Sequence, residues 1–370
     1  MSRERDSLND TIIMSGTEHD RYYAFTFDDG PGRLPISIWL DALEAEGAVG
    51  TFFFTGEWMD RYPERAKEII RRGHALAPHS YYHRRMAQIP KHVFMEELKA
   101  VELAYQEATG LPCPAYMRFP YSSYNDERLL WLDEAGYVDV EGVESFDWSG
   151  ISAQAIADVL IPELKSGMIA VLHSNDIAIG SPDAIKLVSD VAKEQELVAV
   201  SVPTIMESLG RKPSYRSWKI IVDIPKELDF PSKDWYPVES QLPEMAAQIV
   251  KWGVERHVNS ASTAAEWQEQ LEQPLPSRGS REWFGVREFE GSYWGYARAY
   301  ETGDTLIIHE HGAKEAQADT LVYMMRWAIE QAQAAGLKQI EVRHDIRRML
   351  QMCKQLDWKA ELVSERLGEL

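Results

Sequence analysis

The sequence predicts an α/β protein, with a parallel sheet or barrel in residues 1–210 and a smaller α+β domain over 211–370. Three observations carry this. Short β-branched or aromatic runs alternate with helical stretches through the first part, the pattern of parallel strands joined by crossovers. Acidic and imidazole residues fall just past the ends of several of those runs, where parallel α/β folds place their chemistry. Around Gly210–Ser217 the chain passes through a Gly, Lys, Pro and Ser stretch, beyond which it becomes richer in Trp and Gln.

Tyr22–Phe27, Gly50–Phe54, Ala115–Arg118 and Met168–Leu172 read as strands, being short, apolar and closed by turn or polar residues. Between them Ser37–Glu46, Pro63–Arg72, Val93–Thr109 and Asp126–Ala135 have helical spacing. The third sets Phe94, Leu98, Val101 and Tyr105 on one face and stops at Gly110. In the second part Trp294–Tyr300, Thr305–His309 and Lys338–Val342 read as strands. Thr320–Ala335 is an amphipathic helix ended by Gly336, and Arg343–Leu356 carries a stripe of Ile346, Met349, Leu350, Cys353 and Leu356. Such stripes are core faces.

Composition narrows the function. The 370 residues are 45% hydrophobic and 11% aromatic, as in a globular protein, and no apolar run is long enough to span a membrane. Met1–Asp20 has no apolar signal core, so the chain as written reads as cytoplasmic, or as extracytoplasmic if a leader has been removed. Cys113 and Cys353 form no CxxC pair and read as free thiols. Residues 1–210 hold 18 Lys and Arg against 34 Asp and Glu, and the remainder 21 against 25. That field disfavours nucleic acid and anionic membranes, and favours a neutral or cationic substrate over a polyanion.

Thr26-Phe-Asp-Asp-Gly-Pro31 is a strand that stops on two carboxylates. Alone it is a turn; with partners, one carboxylate could bind a cation and the other act as base. His79-Ser-Tyr-Tyr-His83 sets two imidazoles four residues apart, which on a helical turn shares one face. Two histidines with one carboxylate suit catalytic zinc, and equally non-haem iron; nothing suggests redox chemistry, which favours hydrolysis. Arg118-Phe-Pro-Tyr121 follows a strand, and its Arg is either a structural ion pair or a holder of a catalytic carboxylate. Glu144, Asp147-Trp148 and Leu172-His173 come later and say little singly.

In this order the segments resemble the motifs of the polysaccharide deacetylase family, the NodB-homology domains of carbohydrate esterase family four, over residues 20–210. TFDDGP resembles the first motif, HSYYH the HSxxH metal motif and RFPY the RxPY motif. ESFDW resembles the acidic-Trp motif and VLH the closing Leu-His. The resemblance implies a distorted (β/α) barrel of seven or eight strands and a glycan substrate containing N-acetylglucosamine. It implies a divalent metal, zinc favoured, on Asp29, His79 and His83, with Asp28 as general base. Arg118 would orient Asp28, the Tyr121 N–H would face the oxyanion, and His173 would protonate the departing amine, supported by Asp147 or Glu144. Three positions depart from the family pattern: Arg84 stands where Pro is usual, Ser122 where Gly is common, and Glu144 where Asp is usual. The first suggests an altered substrate preference. Hydrolysis of a non-carbohydrate amide, and glycan binding without catalysis, are the competing functions.

Residues 290–360 resemble the later half of a GNAT-type N-acetyltransferase fold. Those enzymes cradle a pyrophosphate on backbone N–H groups of a glycine-bearing loop. Gly312-Ala-Lys-Glu-Ala-Gln-Ala-Asp319 lacks that glycine pattern and carries Glu315 and Asp319. This part is therefore expected to be a non-catalytic accessory domain, or one that forms a homo-oligomer.

Overall fold

The computed structural model describes residues 11–226, 235–237, 282–289, 292–313 and 318–368. Its contacts divide the chain into one unit of Met1–Ser217 with Glu365–Leu370 and another of Trp218–Ser364.

In the first unit the chain runs β1 (Ile12–Ile13), β2 (Tyr22–Asp29), α1 (Ser37–Ala45), β3 (Gly50–Phe54), α2 (Gly56–Arg61), α3 (Pro63–Arg71), β4 (Ala75–Pro78) and α4 (Lys91–Thr109). It continues through β5 (Cys113–Pro114), β6 (Tyr116–Met117), α5 (Asp126–Ala135), β7 (Val138–Val140), β8 (Val143–Glu144), α6 (Ala153–Leu160), β9 (Ile169–His173), α7 (Ser181–Glu194), β10 (Val198–Ala199) and α8 (Val202–Ser208). Strands β4, β3, β2, β9 and β8 lie side by side in that order, with β10 against the start of β2, and every pairing is parallel. A second parallel sheet runs β1, β7, β6. The ladder is thus interrupted between two sheets, and the Arg118 N–H donates to the Pro78 carbonyl at 3.3 Å where β6 and β4 end.

Side-chain alternation along β2 decides what reaches the site. Phe25 and Phe27 point outward and pack with Phe52, Phe54, Trp39, Leu40 and Leu43 beneath the helices. Ala24 points to the opposite side, in a cluster with Phe53, Tyr116, Val140 and Ile169. The period of two puts Thr26 and Asp28 on that inner side too, and both are bonded there by Arg118. A carboxylate among apolar residues would be expelled without such a partner.

The second unit is built on a sheet ordered β12 (Trp235–Pro237), β13 (Glu282–Phe289), β14 (Ser292–Thr302), β15 (Thr305–Ala313), β16 (Gln339–Val342), β11 (Tyr215–Asp223) and β17 (Ala360–Leu367). Neighbours from β12 to β15 are antiparallel, and β15 and β16 are parallel, joined through helix α9 (Ala318–Ala334). Helix α10 (Ile346–Gln355) follows β16 and buries Ile346, Met349, Met352 and Cys353. One expectation changes here. Gly312 and Ala313, read as the start of a loop, pair with Tyr296 and Gly295 as the end of β15. Residues 314–317 of that stretch, with Glu315, lie outside the described residues, as do residues 1–10. Cys113 and Cys353 are free and buried. Among the described residues no helix is long and apolar enough to cross a membrane.

Candidate active site

A cavity of about 530 Å³ opens at the C-terminal ends of the parallel strands, lined among others by Asp28, Asp29, His79, His83, Tyr121, Glu144 and His173. Asp28 and Asp29 close β2 differently. Asp28 keeps the strand's inward direction and is 5% exposed. Asp29 takes φ +76°, so the chain turns at once and this carboxylate too faces the cavity. Gly30 completes the turn at φ +103°, and a Cβ there would lie 2.7 Å from the Trp58 ring, so only glycine fits.

The two histidines are not on a helical turn. Residues 79–85 are irregular, with Ser80 at φ +57° and His83 at φ +56°. The loop is held from below by Glu97, a 4% exposed carboxylate on α4. Its Oε2 accepts the N–H groups of Tyr81 and Tyr82 at 2.9 Å each, and Arg84 pairs with its Oε1 at 2.9 Å. Backbone donors turned onto one buried acceptor replace the helical ladder, and the four-residue spacing brings the imidazoles together by a different geometry. The rings sit 5.0 Å apart. Arg84 is occupied by Glu97, and the cation that lines the cavity is its neighbour Arg85, 4.2 Å over the Tyr121 ring.

Asp29, His79 and His83 offer one ligand atom each within 4.8 Å of one another. His83 Nε2 lies 3.1 Å and His79 Nε2 3.9 Å from Asp29 Oδ1. His79 Nδ1–H donates to the Arg118 carbonyl at 2.9 Å, which leaves Nε2 as the lone pair toward the carboxylates. Burial pushes the His79 imidazole down to about 4, keeping it neutral as a ligand must be. Burial pushes the Asp29 carboxyl up, but the His83 bond and the surrounding imidazoles more than offset this and hold it below the usual carboxylate range. Asn175, absent from the sequence expectations, fixes the other oxygen by donating from Nδ2 to Asp29 Oδ2 at 2.8 Å. Two imidazoles and one anionic carboxylate, with His79 braced by the Arg118 carbonyl and Asp29 by Asn175, are a donor set that fits a divalent cation.

Arg118 is 1% exposed and spans the inner side of the unit. Its Nη1–H groups donate to Asp28 Oδ1 and Thr26 Oγ1 at 2.8 Å each, and its Nε–H to the Val140 carbonyl at 2.7 Å. The second oxygen, Asp28 Oδ2, lies 3.9 Å from His79 Nε2. Ser122, one of the departures from the family pattern, donates its hydroxyl to Glu141 Oε2 at 2.8 Å, and burial raises the Glu141 carboxyl to about 7.

Across the cavity His173 closes β9. Fully buried Asp147 receives His173 Nδ1–H at 2.7 Å on Oδ1, and the His173 backbone N–H at 2.7 Å on Oδ2. Ser181, also missing from the sequence reading, donates to the same Oδ2 at 2.5 Å. Burial pushes the imidazole down, yet Asp147 and the charges of Asp28 and Asp29 prevail and raise it to about 9. Glu144 accepts the Phe146 N–H at 3.2 Å instead, and burial raises its carboxyl. The group hydrogen-bonded to His173 is therefore Asp147. Tyr121 sits at φ +62° with its ring 4.5 Å from that of His83.

The family model for polysaccharide deacetylases matches residues 15–140. A peptidoglycan-N-acetylglucosamine deacetylase of Bacillus cereus is 27% identical over 197 residues, 52% of this chain and 71% of that protein. A chitooligosaccharide deacetylase of Sinorhizobium fredii is 27% identical over 196 residues, 52% of this chain and 87% of that protein. A crystal structure of a peptidoglycan N-acetylglucosamine deacetylase in complex with 4-naphthalen-1-yl-N-oxidanyl-benzamide aligns at a TM-score of 0.51 and 26% identity, covering 53% of this chain and 92% of that one.

Proposed function

We propose, from the premise that this chain belongs to the polysaccharide deacetylase family through its first unit, that it removes acetyl groups from N-acetylglucosamine-containing glycans of the chitin-oligosaccharide or peptidoglycan type. The observation that carries the mechanism is one cavity with a carboxylate held by a buried arginine on one side and an imidazole hydrogen-bonded to a fully buried carboxylate on the other. Amide hydrolysis needs both, because water must lose a proton to attack and an amine leaves badly without gaining one.

Asp29, His79 and His83 would hold a divalent cation, zinc by preference, which when bound supplies Lewis acidity toward water and the acetamide carbonyl. The protein's own residues divide the rest. Asp28, oriented through Oδ1 by Arg118, takes the proton of the attacking water on Oδ2. The Tyr121 N–H would face the oxygen that gathers negative charge as the carbonyl becomes tetrahedral. His173, kept as imidazolium by Asp147, delivers its proton to the departing amine. The second unit is proposed to be an accessory domain without acetyltransferase activity.

Acetate release from N-acetylglucosamine oligomers by the zinc-loaded full chain, beside Asp28→Asn, tests this. We expect the variant to keep its metal and lose on the order of 10²–10⁴-fold in kcat, the usual effect of removing a general base. Acetate release by Asp28→Asn at the wild-type rate would transfer the base role elsewhere.

A further inference from the structure

Phe146 is placed in a conformation that its side chain disfavours. It sits at φ +61°, ψ 16°, in the left-handed region where a bulky residue is an outlier. The backbone there is fixed from three directions. Its N–H donates to Glu144 Oε1 at 3.2 Å, and its carbonyl accepts both the Ser149 N–H at 3.1 Å and the Ser149 hydroxyl at 2.7 Å. The turn has an evident purpose, since it lets Ser145 and Asp147, on either side, both point inward and be fully buried. Asp147 thereby reaches His173. None of this requires a benzyl group. Glycine or asparagine would make the same turn with less strain, and a ring 49% exposed contributes little to the core.

What the ring does do is line the active-site cavity, next to Trp148, which is 52% exposed. We propose that Phe146 is a binding residue, on whose face the apolar C–H face of a pyranose ring stacks, so that an oligosaccharide is held while its acetamide lies between Asp28 and His173. This rests on the deacetylase reading of the cavity. A flat π surface beside polar groups suits a sugar, which has hydroxyls at its edge and C–H bonds on its face. The strained turn is kept with a ring on it because the ring must face the cavity, as strain at functional sites generally does.

Phe146→Gly separates a binding role from a structural one. Glycine relieves the left-handed backbone, so the thermal midpoint should stay level or rise by about 2–4 °C. Affinity for an N-acetylglucosamine tetramer, measured by calorimetry on the full chain, should fall roughly tenfold, the equivalent of about 1.4 kcal/mol. The ratio of kcat/KM on the tetramer to that on ethyl acetate, which has no ring to stack, should fall by a similar factor. Phe146→Tyr, which keeps the ring, should restore both to within about twofold. A lower thermal midpoint with equal losses on both substrates would show the ring to be packing, and undiminished tetramer binding would show that no sugar touches it. If the tetramer binds with the expected difference but no acetate is released, the stacking surface stands and the deacetylase reading falls.

Discussion

Two clusters in this cavity are made of the same kinds of residue and are driven in opposite directions. Asp29, His79 and His83 form one, and Glu144, Asp147 and His173 the other, and in each the ligand-capable atoms lie within 4.8 Å of one another. By residue type and spacing alone, either could be a metal site. Their surroundings separate them. His79 is wholly buried, donates to a carbonyl and is pushed down to about 4, so it offers a lone pair. His173 is held through Nδ1 and its own backbone N–H on one fully buried carboxylate and is raised to about 9, so it offers a proton. Burial lowers both imidazoles; the anion engaged directly by His173 reverses the outcome. One hydrogen-bond partner thus biases the same side chain toward its protonated form in one cluster and toward its lone pair in the other.

The largest effect should come from asking which cluster takes metal. His79→Ala and His83→Ala are each expected to lose bound divalent cation by elemental analysis and nearly all acetate release with it. His173→Ala should keep a full equivalent of metal. Metal retained in both loop variants and lost from His173→Ala would invert the comparison.

Much of the first cluster was legible in the sequence, because DDGP and HxxxH place ligand-type residues at fixed short spacings. The reason those residues meet was not legible. The spacing suggested a helical turn, whereas the loop is shaped by Glu97, fourteen residues downstream of His83 on α4, accepting two backbone N–H groups. A buried acceptor on a predicted amphipathic helix gives no periodic signal of its own. The second cluster was less legible still. Glu144 and Asp147 were equal candidates by sequence, and only the left-handed turn at Phe146 determines that Asp147 points in. Asn175 and Ser181 act through contacts to residues 146 and 34 positions away, which no local pattern encodes. The four strands and four helices read in the first unit recur within about two residues at their ends, and the parallel pairing followed from their alternation, but β4, β7, β8, α6 and α7, among others, were not read. Nor was the end of β15, since Gly312 reads as a turn residue and pairs nonetheless with Tyr296.

A smaller effect sharpens the proton-donor half of the comparison. His173→Ala should lose more on the acetamide of an N-acetylglucosamine oligomer than on p-nitrophenyl acetate, whose phenolate leaves without help. The difference should be about tenfold or more, within the usual range for a general acid. Steady-state rates on both substrates over one pH range would show it. Equal losses would assign His173 to oxyanion contact or to structure, and the two clusters would no longer differ in the way described.

The smallest expected effect isolates the partner that makes the difference. In Asp147→Asn the shape of the side chain is kept and its charge removed. His173 would then be raised only by the more distant carboxylates of Asp28 and Asp29, against the same burial, and should titrate well below 9. The acid form is the active one, so activity on the amide is present below the imidazole pKa and falls tenfold for each unit of pH above it. The basic limb of kcat/KM should therefore move down by at least about one unit, equivalent to roughly 1.4 kcal/mol, a fair value for a charge-assisted hydrogen bond. Below pH 6 the variant should come within severalfold of wild type, and at pH 9 the titration alone should open a gap of about fivefold or more. A bound cation lowers the imidazole in both proteins, so the difference between them survives metal loading. The asparagine must also turn an N–H toward either the His173 N–H or the Ser181 hydroxyl, which costs about 1–3 kcal/mol if left unpaired. Thermal melts at pH 6 measure that loss separately from the limb. A limb that stays in place while stability falls would make Asp147 a structural support for β9, and the raised imidazole would then owe its charge to Asp28 and Asp29.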